Sequence, residues 1–417
     1  MTTLKTNILT PISHTDIAYR KDVFITVHNG KIEAIADTFP TKDFLDRTDM
    51  LVIPPFCDLH NHMSQYRIMG MNAATLLEWL STFTFPEELR LNRDHALARS
   101  VFQAYYRDLV RFGTIASVSY ATSSNAVTRI ACEEAATFPG WMYIGKVLME
   151  RNAPEDLTEP GEMGIAGLKE IIAAFHSPKE RIQIVATPRF AISCTFDYLK
   201  QIAAVSDRHG LFVQTHLSEN LKEIDMTGGL FAGFKDYTDV YAQSGLLHER
   251  TLLGHGIYLS DNELDRIVHA KASIIHCPTS NSFLKSGILG VKKAREHGVA
   301  VGLGTDIGAG YSLSMFDEMK SMIEASKYYA LFVAEYPVIT PAEAFYTATC
   351  ANAQILGLSE RIGTIDVGKD ATFLMLTHHW EDVYSSPHDL LSDIIYRSDK
   401  QQIREFWVDG ENVYGRD

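Results

Sequence analysis

Residues 51–66 read LVIPPFCDLHNHMSQY, an apolar run from Leu51 to Leu59 that leads into a His-x-His pair. In a strand, residues two apart share a face, so His60 and His62 can aim at one point. The pair alone decides little. With 16 histidines in 417 residues, such a match is expected by chance about 0.6 times. Its weight comes from what the rest of the chain places beside it.

Seven further runs have the same apolar, β-branched character: Thr114 to Ala121, Trp141 to Met149, Ile182 to Phe190, Leu211 to Leu217, Thr251 to Ile257, Ala272 to Pro278 and Ala300 to Asp306. Most are too short for helices and read as strands buried on both faces. Stretches of helical period lie between them, among them His95 to Phe112, Asn125 to Ala136, Ile165 to Phe175, Phe196 to His209, Asp261 to Lys271 and Gly290 to His297. Strand followed by helix, eight times, predicts an α/β fold, a (β/α)8 TIM-like barrel. Strand one then ends in His60 and His62, strand four in Arg189 and Phe190, and strands five to eight in His216, His255, His276 and Asp306. Polar residues at the C-terminal ends of barrel strands are read as catalytic.

The termini do not fit the barrel. Short strand patterns surround Leu4 to Ile12, Asp22 to His28 and Lys31 to Asp37, and Asn29-Gly30 is a strong hairpin signal. Strand patterns return after Leu358, with a second hairpin signal at Asp409-Gly410. Both ends are expected to pair in one small β-sandwich domain, 1–53 with 362–417, beside a barrel over 54–361. A helix from Pro341 closes the barrel portion, with Thr340 as N-cap and Glu343 as the capping-box acid.

Composition narrows the classes. The net charge of −14 and the absence of a basic stripe argue against nucleic acid as a partner. No apolar run of membrane-spanning length occurs, and the N-terminus has no signal-peptide core. Five scattered cysteines, Cys57, Cys132, Cys194, Cys277 and Cys350, read as reduced thiols of a cytoplasmic protein.

Three or four imidazoles with a carboxylate suit zinc or ferrous iron, and such a centre with one position kept for water is hydrolytic. Water held there loses a proton near neutral pH. Asp306, in VGLGTDIGAG, can bind the metal, accept that proton, or do both in turn. Glu219 lies in QTHLSEN, just past the end of strand five. Alone it would read as a solvated loop acid; beside His216 it reads as a proton shuttle to a ring nitrogen and then to a leaving amine. Gly302, Gly304 and Gly308 miss the dinucleotide spacing, and no Cys-x-x-Cys of a nucleic-acid deaminase occurs. Lys146, inside strand three, reads as structural and paired with an acid. His276 is expected to line the pocket, in support of the ligands or against substrate. Cys277 reads as a packed thiol, Trp79 as core or lid, and His378, His379 and His388 as structural or exposed. His176, His209 and His297 fall at helix C-terminal ends, where they suit the dipole.

At these residues the chain resembles the amidohydrolase superfamily and, within it, the guanine deaminase family. PPFCDLHNHMSQY, LLEWLSTFTFPEE, TPRFAISCT, QTHLSEN, LLGHGIYLS, IIHCPTSNSFLKSG and VGLGTDIGAGYSLSM carry the resemblance in order, over nearly the whole chain. The His-x-His and Gly-Thr-Asp pieces are shared across the superfamily; Ser-Gln-Tyr, Pro-Arg-Phe and Glu-Trp-Leu are more specific. The resemblance implies one zinc, with iron as the alternative, held by His60, His62, His216 and Asp306, with His255 as a further ligand or as partner of the bound water. It implies Glu219, Asp306 and His255 as catalytic residues. Guanine would be held by Gln65, Arg189 and Phe190, beside His216, Glu219 and Asp306. The implied reaction is guanine and water to xanthine and ammonia, in a cytoplasmic homodimer.

Physical chemistry agrees with those roles. Guanine has a dense rim of donors and acceptors. Gln65 offers one of each and Arg189 a fork of donors, while Phe190 can cover a ring face or edge. MERNAPEDLTEPGEMG, after strand three, has no assigned role. Two alternatives are weighed: a sibling hydrolase acting on an oxidised guanine, a pterin or an s-triazine, and a scaffold that has lost its chemistry. The second predicts missing ligands, and every position of the constellation is filled.

Overall fold

A computed structural model describes residues 1–39, 43–178, 180–377 and 383–415. Eight parallel strands pair each with the next in chain order: Phe56–His62, Thr114–Tyr120, Trp141–Leu148, Ile182–Pro188, Val213–Leu217, Thr251–His255, Ser273–His276 and Ala300–Leu303. The second and third are buried at every residue, as apolar strands between a packed interior and outer helices must be. The eighth returns to the first. Asp306 N–H donates to His60 O at 2.7 Å, and His62 N–H donates to Ile307 O at 2.6 Å. Gly304 permits this closure, since a Cβ there would stand 2.7 Å from His60 N.

The run Leu51 to Leu59 is not one strand. Leu45–Ile53 belongs to the terminal sheet and Phe56–His62 to the barrel. Pro54 and Pro55 lie between them, and neither has an N–H to continue a ladder. The first barrel strand therefore follows directly from the neighbouring sheet, and Phe56 N–H picks up the barrel at Gly113 O, 3.0 Å away.

Both termini meet in that neighbouring unit, built as a single hydrogen-bonded sheet of seven strands. Leu45–Ile53 sits in its middle, flanked by Thr2–Pro11 from the N-terminal part and Phe373–Thr377 from the C-terminal part. Asn29 and Gly30 turn the hairpin between Ile17–His28 and Lys31–Ala36, with φ of 50° and 75°. Asp409 and Gly410 repeat this at 50° and 81° between Ile403–Val408 and Glu411–Gly415. Both pairs have the left-handed backbone that a two-residue hairpin needs. Leu4, Ile25, Val52 and Phe373 belong to a second apolar cluster under this sheet.

Helices cover the barrel. His95–Arg111, Asn125–Ala135, Gly161–Phe175, Phe196–His209 and Asp261–Ala270 lie where the periodicity places them. The helix at Pro341 begins with the expected box, Thr340 and Glu343 each capping the other's backbone. After the first barrel strand the chain forms a 3-10 turn, Met63–Ile68, then helical segments from Leu76 to Arg93 that lie over the barrel mouth. Among the described residues no helix is long and apolar enough to cross a membrane.

Candidate active site

The barrel strands deliver their terminal side chains to one buried point. His60, His62, His216 and Asp306 each offer one ligand atom there, all within 4.8 Å of one another. His62 Nε2 is 3.2 Å from His216 Nε2. Asp306 Oδ1 is 3.2 Å from His62 Nε2 and 3.3 Å from His60 Nε2. Ligands of one tetrahedral zinc, each about 2.1 Å from the ion, stand about 3.4 Å apart, so these separations suit a cation between them.

Protonation fits the same use. Burial pushes His62 down to about 3, and lowers His60 and His216 below the ordinary imidazole value. All three are neutral at pH 7 and keep lone pairs. His216 Nδ1 lies 2.6 Å from Arg189 O and donates its N–H there, which leaves Nε2 as the bare nitrogen facing His62. Both ring nitrogens of His60 are buried without a hydrogen-bond partner among the described residues. A buried polar atom left so is costly unless something else binds it.

Asp306 divides its two oxygens. Oδ1 faces the imidazoles, and Oδ2 accepts from Ser280 Oγ at 2.6 Å. Burial raises its pKa, but the contacts of His60 and His62 outweigh burial and hold the carboxylate well below the usual range. Glu219 behaves in the opposite way. Burial raises its pKa, and the nearby Asp306 carboxylate adds to the rise. Ser286 Oγ donates to its Oε1 at 2.8 Å. Two buried acids in one site, one held ionised and one pushed toward protonation, are a proton acceptor beside a proton donor.

His255 stands apart from the four-residue group. Its Nε2 lies 3.5 Å from Glu219 Oε2 and 3.9 Å from Asp306 Oδ2. Its Nδ1 is 2.9 Å from Asn281 Oδ1. Burial lowers its pKa, but the Glu219 and Asp306 carboxylates outweigh that and raise it overall. The backbone marks both strand ends: φ is 70° at His255 and 49° at Asp306, a conformation that non-glycine residues hold at a cost.

Above this centre lies a cavity with about 420 Å³ of empty space, part of it open to solvent. Gln65, Arg189, Phe190, His216, Glu219 and Asp306 all line it, together with His62 and Glu223. Its apolar wall comes from the segment after the first strand, through Leu76, Trp79 and Leu80, which pack with Leu284 and Ala309 in one cluster. Trp79 is both core and wall: it is buried, and its Nε1–H donates to Met71 O at 2.7 Å. A largely apolar cavity with a few convergent polar groups suits a small flat ligand.

The other expectations sort as follows. His276 is buried but does not line the cavity. Lys146 pairs with Glu159 at 2.6 Å, a structural contact. Cys277 is buried, and His388 is exposed against Thr15 O at 3.3 Å. His176, His209 and His297 lie at helix C-terminal ends. His378 and His379 lie outside the described residues. Sequence reasoning missed Tyr120, whose ring stacks on His62 at 4.2 Å between centroids. It also missed Glu88, Glu223, Ser280, Asn281 and Ser286. Tyr120 had a signal, since it closes the second barrel strand; the others sit in helices and loops whose facing only the fold reveals.

Comparison with known proteins places this site in context. The sequence profile of the Amidohydrolase family matches residues 51–413. The guanine deaminase of Rattus norvegicus is 33% identical over 377 residues, covering 87% of this chain and 82% of that protein. The guanine deaminase of Escherichia coli K12 is 31% identical over 418 residues, covering 96% and 93%. Among solved structures, guanine deaminase from C. acetobutylicum with guanine bound in its active site superposes with a TM-score of 0.94. It is 30% identical, and the match covers 99% of this chain and 100% of that one.

Proposed function

The chain belongs to the amidohydrolase family, and on that premise we propose that it is a guanine deaminase, turning guanine and water into xanthine and ammonia. One observation carries the reading most: three of the four residues of the metal group, His62, His216 and Asp306, line the same cavity as the rim readers Gln65, Arg189 and Phe190. The strong likeness to guanine deaminases, one of them with guanine bound, supports the substrate.

We assign His60, His62, His216 and Asp306 as the ligands of one ion, taken as zinc, although the same donor set accepts iron. When bound, such an ion supplies an acidified water beside the substrate and positive charge against the developing negative charge. The chain's own groups do the rest. Arg189 and Gln65 bond the rim of the purine, and Phe190 covers the ring. Glu219, which burial pushes toward protonation, gives its proton to the ring nitrogen next to the amine-bearing carbon. Asp306, ionised and steered by Ser280, takes a proton from the attacking water. His255, between both acids, holds that water and their charge in balance, so we place it on the proton side and not among the ligands. The amine takes the proton held on Asp306 and leaves as ammonia, while the hydroxyl left on the ring carbon returns its proton to Glu219 and becomes the xanthine carbonyl.

A cytoplasmic location and a homodimer belong to the same proposal. The exposed apolar end of Met315–Phe332, with Leu331 at 75% and Phe332 at 83% exposure, is a surface a second copy can cover. Sedimentation of the purified protein tests this, and a monomer contradicts it. The substrate assignment is tested by steady-state kinetics on guanine, an oxidised guanine, a pterin and an s-triazine. The reading expects guanine to have the highest kcat/KM, and a higher value for any other ring overturns it.

A further inference from the structure

Glu88 lines no part of the cavity, yet it touches both of the groups expected to read the purine rim. Its Oε1 accepts from Arg189 Nη1 at 3.0 Å and from Gln65 Nε2 at 3.2 Å. The pair is deeply buried, with side-chain exposure of 0% for Glu88 and 3% for Arg189. We propose that Glu88 is the positioning residue that tunes this pocket to a neutral purine, holding Gln65 and Arg189 in register and cancelling the Arg189 charge. The proposal rests on the guanine-binding reading above and extends it to a residue outside the cavity.

The placement follows from the helix that carries it. Phe85 and Glu88 are three apart in Phe85–Arg93 and so share a face. That face grips Arg189 twice: the Phe85 ring lies 5.6 Å from Cζ, and the Glu88 carboxylate bonds Nη1. Gln65 comes from the turn after the first barrel strand and Arg189 from just beyond the fourth. One carboxylate oxygen thus ties together two loops on different sides of the mouth.

Two consequences follow from the chemistry of a carboxylate. It only accepts when ionised, so the nitrogen of the Gln65 amide must face it. The Gln65 oxygen then faces Gly308 N–H, 3.4 Å away. The amide is fixed in one of its two orientations, and with it the donor and acceptor shown to the ligand. The second consequence is charge. A buried guanidinium without a counterion would draw anions. The cavity acids are engaged elsewhere: Glu219 with Ser286, Glu223 with Tyr237, and Asp306 with Ser280 and the imidazoles. Glu88 therefore decides whether the rim reader presents donors alone or donors with a net positive charge.

The test compares the wild type with Glu88→Gln, each with its metal content measured. Guanine kinetics are read at neutral pH. Inhibition by xanthine, which loses a ring proton in the mildly alkaline range, is read in mildly acidic and mildly alkaline buffer. Loss of a charge-assisted bond predicts a guanine KM raised about ten- to a hundredfold, with kcat within about threefold and metal unchanged. The alkaline-to-acidic preference for xanthine should rise about tenfold over that of the wild type, as an uncancelled Arg189 attracts the anion. An unchanged KM and an unchanged preference overturn the proposal, and so does a joint fall of kcat, affinity and metal with the preference unmoved. If Glu88→Gln does not fold, Glu88→Asp serves, since it keeps the charge but withdraws the carboxylate by one methylene. Its KM should rise with the wild-type preference intact, and a shifted preference overturns the proposal. A wild type inert toward guanine fails the reading of function instead, while the xanthine preference still tests the charge on Glu88.

Discussion

Ser280 Oγ donates to Asp306 Oδ2 at 2.6 Å, on the oxygen that faces away from His60 and His62. The seventh barrel strand ends at His276, and the short helix Pro278–Phe283 follows, so Ser280 reaches the carboxylate of the eighth from the side. The bond fixes the rotation of the carboxylate and leaves each oxygen one task. Ser280→Ala is expected to lower kcat about tenfold, the scale of one hydrogen bond to a charged group, with metal content near that of the wild type. Parallel metal analysis and kinetics check this; loss of metal in step with activity would show that Ser280 serves the ligand and not the proton.

Glu219→Gln removes the proton but keeps the shape. The expected outcome is a kcat lower by about 10² to 10⁴, the usual worth of a general acid–base, with guanine affinity retained. Ser286→Ala, which takes away the donor to Glu219 Oε1, should act in the same direction and more weakly. Rapid-mixing kinetics with a separate binding measurement distinguish the two parameters.

His216→Ala tests the ligand set. His216 contributes its Nε2 at 3.2 Å from that of His62. Its loss should leave metal far below one ion per chain and bring down activity with it. A variant that keeps full metal would exclude His216 from the set.

Stability should depend on pH through Glu223. This buried carboxyl has its pKa raised to about 7 from an ordinary value of 4.5, by burial first and by the neighbouring Glu219 second. A raised carboxyl contributes stability fully below its unfolded value and loses it as pH climbs through the folded one. The loss between those limits is on the order of 3 kcal/mol. Thermal unfolding of the wild type should thus weaken from mildly acidic to mildly alkaline pH more than that of Glu223→Gln. Equal slopes for the two proteins would remove Glu223 from the account.

The barrel was legible because strands buried on both faces must be apolar runs, and because His60, His216, His255 and Asp306 each terminate one. The terminal hairpins were legible because Asn29-Gly30 and Asp409-Gly410 are chemically suited to positive φ. Leu51 to Leu59 was read as one strand although it changes sheet at Pro54-Pro55, since the run is apolar throughout and periodicity does not register a change of sheet. Ser280, Ser286 and Glu88 were out of reach for another reason. Their partners Asp306, Glu219 and Arg189 are 26, 67 and 101 residues away in sequence, and no local pattern records such a pairing. His276 misled because its place at a strand end mimics that of the ligand candidates, while it does not line the cavity.

The most direct test adds guanine to the purified, metal-analysed protein and follows xanthine in the ultraviolet and ammonia by a coupled assay. The account predicts one ammonia per xanthine, with turnover that disappears on chelation, returns with added zinc and is lost in Glu219→Gln. A metal-loaded protein that leaves guanine unchanged would contradict it.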